Sequence, residues 1–131
     1  MKKAALLFPI ILFLLHSCAT MPKEVDLKES LKSKAEEYWK LRLLEKYEET
    51  YKMEEKSDLP PLAQYQETAK LIKKFKIESF YIDKTEVEGE KGTVAVRISV
   101  IKPPIPKPVK DVFIDEWIFK DGKWRHRFRL E

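Results

Sequence analysis

The hydrophobic repeat changes period once, near Lys76, and that change limits the fold more than any other feature of the chain. From Asp26 to about Met53, Leu27, Leu31, Ala35, Tyr38, Trp39, Leu43, Tyr47 and Tyr51 recur at steps of three and four, with Lys and Glu between them. Such a stripe is the mark of an amphipathic helix. No Gly or Pro interrupts it, and the polar Glu45-Lys46 step is where a first helix can bend into a second. Pro60 and Pro61 stop the run, because proline has no N–H to give and disfavours helix in the residue before it. A further helix is expected over about Leu62 to Phe75, with Leu62, Tyr65, Ala69 and Ile72 on one side.

Beyond Lys76 the repeat is two. A strand is expected over about Ile77 to Val87, a turn at Gly89-Glu90-Lys91-Gly92, and a second strand over Thr93 to Ile101 with Val94, Val96, Ile98 and Val100 on one face. The proline-rich stretch Lys102 to Pro108 cannot donate to a ladder and should form an extended loop. Asp121-Gly122, flanked by alternating apolar residues, signals a two-residue hairpin turn. That register sets Phe119 against Trp124, Trp117 against His126, Asp115 against Phe128 and Phe113 against Leu130, all on one face. The other face pairs Ile118 with Arg125, Glu116 with Arg127 and Ile114 with Arg129. Helices first and an antiparallel meander after them imply an α+β fold, with N-terminal helices packed on one face of a curved antiparallel sheet of about four strands.

The N-terminus carries a different message. Lys2 and Lys3 precede an apolar run from Ala4 to Leu15, the layout of a secretory signal. The run is too short for a helix that needs roughly 20 apolar residues to cross a bilayer. Leu15-His16-Ser17-Cys18 follows, and Cys18 is the single cysteine of the chain. These residues resemble the lipobox of bacterial lipoproteins. The resemblance implies cleavage before Cys18, a diacylglycerol on its thiol and an acylated new amino terminus. Ala19, rather than Asp, follows the cysteine, which by likeness to enterobacterial lipoproteins implies the outer membrane, facing the periplasm. Cleavage after Ser17-Cys18-Ala19, releasing a soluble chain, is the competing outcome. Residues 1–17 are thus read as the signal, 18–25 as a lipidated tether and 26–131 as one domain.

The formal net charge of +4 falls towards neutrality once Lys2 and Lys3 leave, so charge makes no case for nucleic acid. With a lone cysteine there is no disulfide framework. Alternating charges such as Glu36/Lys40 and Glu48/Lys52 read as a solvated helix face.

Ala35-Glu36-Glu37-Tyr38-Trp39 on the first helix and the run from Asp115 to Trp124 in the closing hairpin resemble the nuclear transport factor 2-like superfamily, in particular small bacterial lipoproteins of that type. The resemblance spans about Leu27 to Leu130. It implies a cone-like sheet curled around a pocket and closed by the first helix, and it implies no single function, since the fold hosts isomerases, dehydratases, ligand binders and interaction modules.

Two polar residues fall on the aromatic face of the hairpin, Asp115 and His126, as diagonal neighbours across the strands. The superfamily's enzymes use an Asp or His in the cone for proton transfer, so this pair is the candidate catalytic site of a small cofactor-free lyase or isomerase. Otherwise His126 packs against Trp117 and Asp115 bonds to a helix end or water. Trp117, Phe119, Trp124 and Phe128 are the candidate pocket lining, with core packing as the plainer role for Trp39, Trp117 and Trp124. Arg125, Arg127 and Arg129 form a basic stripe on the opposite face, either a solvated surface that resists aggregation or a partner surface. No cofactor or metal site is expected: His126 is the only histidine left after processing, and no Gly-rich phosphate loop or nucleophile elbow is present. The leading expectation is a non-enzymatic lipoprotein of the bacterial cell envelope, membrane-bound through Cys18, whose domain binds an envelope protein or a small apolar ligand.

Overall fold

The computed structural model describes residues 23–72 and 76–129. The signal run, Cys18, Phe75 and Leu130 lie outside those residues. Three helices, α1 (Glu24–Leu43), α2 (Tyr47–Met53) and α3 (Leu62–Ile72), precede four strands, β1 (Lys76–Glu88), β2 (Lys91–Ile101), β3 (Val109–Lys120) and β4 (Lys123–His126). The strands form one antiparallel sheet in the order β1-β2-β3-β4. The fold is α+β with the helices before the sheet, as the period change implies. Among the described residues no helix is long and apolar enough to cross a membrane.

The expected bend falls where the sequence put it. Glu45 adopts a left-handed φ of 58°, and the Lys46 N–H reaches back to the Leu41 carbonyl at 2.9 Å. A left-handed residue just past a helix ties up otherwise unbonded carbonyls and turns the chain. Acidic Glu24 and Asp26 begin α1 while Lys40 and Arg42 end it, matching the helix dipole.

α1 lies along the inner face of the sheet. Its buried Leu27, Leu31, Ala35, Tyr38 and Trp39 join Ile82, Val94, Val96, Ile98, Val100, Trp117 and Trp124 in one core. Irregularities between Ile77 and Ser79 and between Ile82 and Lys84 interrupt the β1 register, and such bulges bend a strand.

Of the two turns, the first departs from expectation and the second follows it. The β1–β2 turn is tighter than expected: only Gly89 and Glu90 lie between the strands, and Lys91 and Gly92 already pair. Gly92 is a strand glycine for a packing reason, since a Cβ there would meet Leu31 Cδ2 and lie 2.9 Å from the Trp124 ring. In the closing hairpin, Asp121 and Gly122 both take positive φ (52° and 73°), the type I′ geometry. Trp117 faces His126, Ile118 faces Arg125, Phe119 faces Trp124 and Lys120 faces Lys123.

The register then stops early. The Arg127 N–H still bonds the Glu116 carbonyl at 2.8 Å, but Asp115 does not face Phe128 in a ladder. The His126 carbonyl accepts from the Glu55 N–H at 2.7 Å, so the chain past α2 becomes a second neighbour of β4. Phe128 swings to α3, where its ring sits 4.9 Å from that of Tyr65. It packs on a helix instead of lining the sheet with Trp117 and Trp124.

The outer face of the sheet is solvated. On β3 it shows Lys110, Val112, Ile114, Glu116, Ile118 and Lys120, and on the chain after the turn Lys123, Arg125, Arg127 and Arg129. Val112 and Ile114 are 48% and 63% exposed. Arg129 meets Glu116 (Nη2–Oε1 2.6 Å) rather than lying over Ile114, and Arg127 approaches the same carboxylate at 3.6 Å.

Candidate functional site

The alternation of β3 sends Asp115 and Trp117 inward, and β4 sends His126 in beside them. The diagonal placement brings His126 Nε2 to 3.5 Å from Asp115 Oδ1. The pair is not alone. His126 Nδ1 lies 2.7 Å from Oε2 of Glu54, a residue just past α2 whose side chain is wholly buried. The imidazole is thus held between two carboxylates, one on each ring nitrogen.

Each carboxylate is anchored in turn by aromatic side chains that donate to it. The Tyr38 hydroxyl donates to Glu54 Oε1 at 2.7 Å, and the Tyr65 hydroxyl lies 2.9 Å from the same oxygen and 2.8 Å from Thr50 Oγ1. The Trp39 indole N–H donates to Asp115 Oδ2 at 2.6 Å. Tyr38 stacks on His126 with ring centroids 4.2 Å apart, and Trp117 meets the same ring edge-on at 5.1 Å. Arg42 lies 5.9 Å from the centre of the Tyr38 ring and 5.8 Å from that of Tyr47, bringing a second cation towards the cluster.

The electrostatics follow from the partners. Burial alone would push His126 towards neutrality, but the hydrogen bonds and charges of Asp115 and Glu54 outweigh it and raise its pKa from the ordinary 6.5 to about 9. His126 is therefore an imidazolium at neutral pH. Burial, reinforced by Glu54, raises Tyr65 to about 12 and carries Tyr38 well above its usual range. Both phenols stay protonated and act as donors.

This arrangement suits holding better than proton transfer. A general base must arrive unprotonated and within reach of its substrate. His126 is protonated and only 8% exposed, and both ring nitrogens are already directed at carboxylates. The three polar ends also diverge, with Glu54 and Asp115 on opposite sides of the ring, and among the described residues no group of His, Cys, Asp or Glu is arranged to hold a metal ion. Of the candidate lining, Trp117 and Trp124 are core, Phe119 packs half-buried against Trp124 at 5.1 Å, and Phe128 is on Tyr65.

Two shallow hollows lie at the surface. One, of about 260 Å³, is bounded by Glu54, Glu55, Lys56, Lys120, Asp121, Lys123 and Arg125. The other, of about 220 Å³, lies over Lys91, Gly92, Thr93, Ile118 and the Glu116–Arg127–Arg129 cluster. Neither is lined by Asp115 or His126.

Sequence reasoning found Asp115 and His126 but missed Glu54, Tyr38, Tyr65 and Thr50. Tyr38 and Tyr65 carry a signal only as members of the apolar helical stripes, and Thr50 a faint one in its three-residue step from Tyr47. Glu54 has none, because it sits in Met53-Glu54-Glu55-Lys56, which reads as a solvated charge run.

No family model matches the chain, and no curated protein is recognisably similar to it in sequence. Among solved structures, the solution structure of a SEC-C motif containing protein from Rhodopseudomonas palustris is similar, with a TM-score of 0.56 and 10% sequence identity over 69% of each chain. At that identity the likeness is one of fold: a small α+β arrangement.

Proposed function

We propose that this chain is a bacterial envelope lipoprotein, held to the membrane by a lipid on Cys18, whose domain is a non-enzymatic binding or interaction module. The finer reading of the fold is a nuclear transport factor 2-like cone whose interior is already occupied. One observation carries the non-enzymatic half. The space over the inner face of β3 is taken by Tyr38 and Trp39 of α1, and both bond to the carboxylates of the buried cluster rather than to anything that could enter.

A cone of this kind binds partners through its surface. The alternative of a cofactor-free lyase or isomerase keeps one point in its favour, the 3.5 Å approach of His126 to Asp115. It would require α1 to move off the sheet before a substrate could reach the pair.

Two measurements test this reading. The mature protein should have the mass of a chain beginning at an acylated Cys18 and should fractionate with membranes, while Cys18→Ser should abolish both; an unmodified terminus at Thr20 would sink the anchor. Anilinonaphthalene sulfonate fluoresces when it enters apolar space. A filled interior leaves its fluorescence unchanged with the native domain, and a large rise under native conditions would reopen the pocket and the enzyme with it.

A further inference from the structure

The β3–β4 half of the sheet is one-sided in charge on its outer face, whereas β1 carries Asp83, which pairs with Arg97, and Glu86. From Lys110 to Arg129, the outward positions carry six cations and the single carboxylate Glu116, which already bridges Arg127 and Arg129. Val112 and Ile114 project between these cations, and Tyr81, 63% exposed, joins them across β2, where Arg97 pairs with both Tyr81 and Val112. The opposite side of the molecule differs. There α1 carries both signs, with Glu24, Asp26 and Glu29 beside Lys28, Lys32 and Lys34. A surface of Lys and Arg around exposed aliphatic and aromatic side chains is the pattern of a peripheral membrane face: the cations meet anionic headgroups and the apolar groups settle at the acyl boundary.

The path of α1 places that face near lipid. The Trp124 indole N–H donates to Ser30 Oγ at 3.0 Å and Gly92 lies under Leu31, while Trp39, further along the helix, reaches Phe113 and Asp115. The start of α1 therefore points past the end of the sheet that carries both hairpin turns, with Lys120 and Lys123 beside one of them. Only residues 19–23 separate Cys18 from α1, a reach of about 20 Å at full extension.

We propose that the outer face of the β3–β4 half of the sheet docks on the anionic phospholipid headgroups of the bilayer that holds the chain. The proximity rests on the lipid anchor at Cys18; the surface chemistry does not. A tethered face meets headgroups at high effective concentration, so contacts too weak to recruit a free protein suffice to orient a bound one. The domain lies sheet-down, leaving its helical side towards the compartment.

The test uses the chain from Ala19 onwards, which lacks the lipid but retains every described contact. Its sedimentation is measured with vesicles of phosphatidylcholine alone and of phosphatidylcholine and phosphatidylglycerol in equal parts. Binding to the mixed vesicles only, weakening with salt, is expected. The variant K110Q/K120Q/K123Q should lower partitioning by roughly a hundredfold, about fivefold per lysine. The variant K28Q/K32Q/K40Q, with the same change in charge on α1, should change it little. Circular dichroism confirms that both variants fold. Absence of binding to the mixed vesicles, or equal weakening by the two variants, would overturn the proposal. So would tight binding to polyglutamate with none to vesicles, which would assign the face to an acidic protein. A failed anchor would show separately, as an unacylated mass, and would leave the vesicle result as it stands.

Discussion

On the inner side of β3, Asp115 and Trp117 are closed over by Tyr38 and Trp39, while one residue away on the outer side Ile114 and Glu116 stand towards solvent. Both faces carry ion pairs and aliphatic groups, yet these do different work. Inside, the His126 cation is fixed by two carboxylates that are themselves held by three aromatic donors. Outside, Glu116 is shared by two half-exposed arginines, an arrangement that water and salt screen. The same residue types thus fix the interior on one face and stand in solvent on the other. Dielectric and desolvation decide which.

Substitutions can break that contrast. The largest effect belongs to His126→Ala, which leaves Glu54 and Asp115 buried without their cation. Removing one partner of a buried pair costs about 3–5 kcal/mol, and urea unfolding at neutral pH reads it directly; a cost below that of an ordinary core truncation would mean that solvent reaches the cluster.

The pH dependence comes next. The folded pKa of His126 is raised above its unfolded value, so the stability it adds is complete below about pH 6.5 and is lost as pH rises through about 9. The gap corresponds to about 3 kcal/mol. The urea midpoint of the parent should fall between about pH 7 and pH 9.5, and that of His126→Ala should stay nearly flat over the same range; parallel curves would remove the imidazolium from the account.

Gly92→Ala is intermediate. Its added methyl would drive into Leu31 and the Trp124 ring, and overpacking of this sort costs typically 1–3 kcal/mol, visible as a lower melting temperature. The smallest change is expected on the outer face. Ile114→Ser should alter folding stability by less than about 0.5 kcal/mol, since the side chain is already 63% exposed. A larger loss would show that the outer face is covered by something in the folded protein.

The sequence by itself determined the order of elements, the bend at Glu45, the hairpin turn at Asp121-Gly122 and the inward alignment of Asp115, Trp117, Trp124 and His126. These are local matters. Periodicity, missing proline N–H groups and positive-φ turn chemistry act over a few residues, and a sheet register once set propagates by twos. Only the tertiary structure decided the rest. Gly92 reads as a turn residue until Leu31 and Trp124 are seen to occupy the space of its side chain. Phe128 leaves the aromatic face because the chain after α2 bonds to β4 and Tyr65 offers a ring beside it. Glu54, written into a charged run, becomes the most deeply buried carboxylate of the cluster because His126, Tyr38 and Tyr65 converge on it from three other elements. A carboxylate is buried or solvated according to the partners that surround it, and partners distant in sequence leave no trace in its neighbours along the chain.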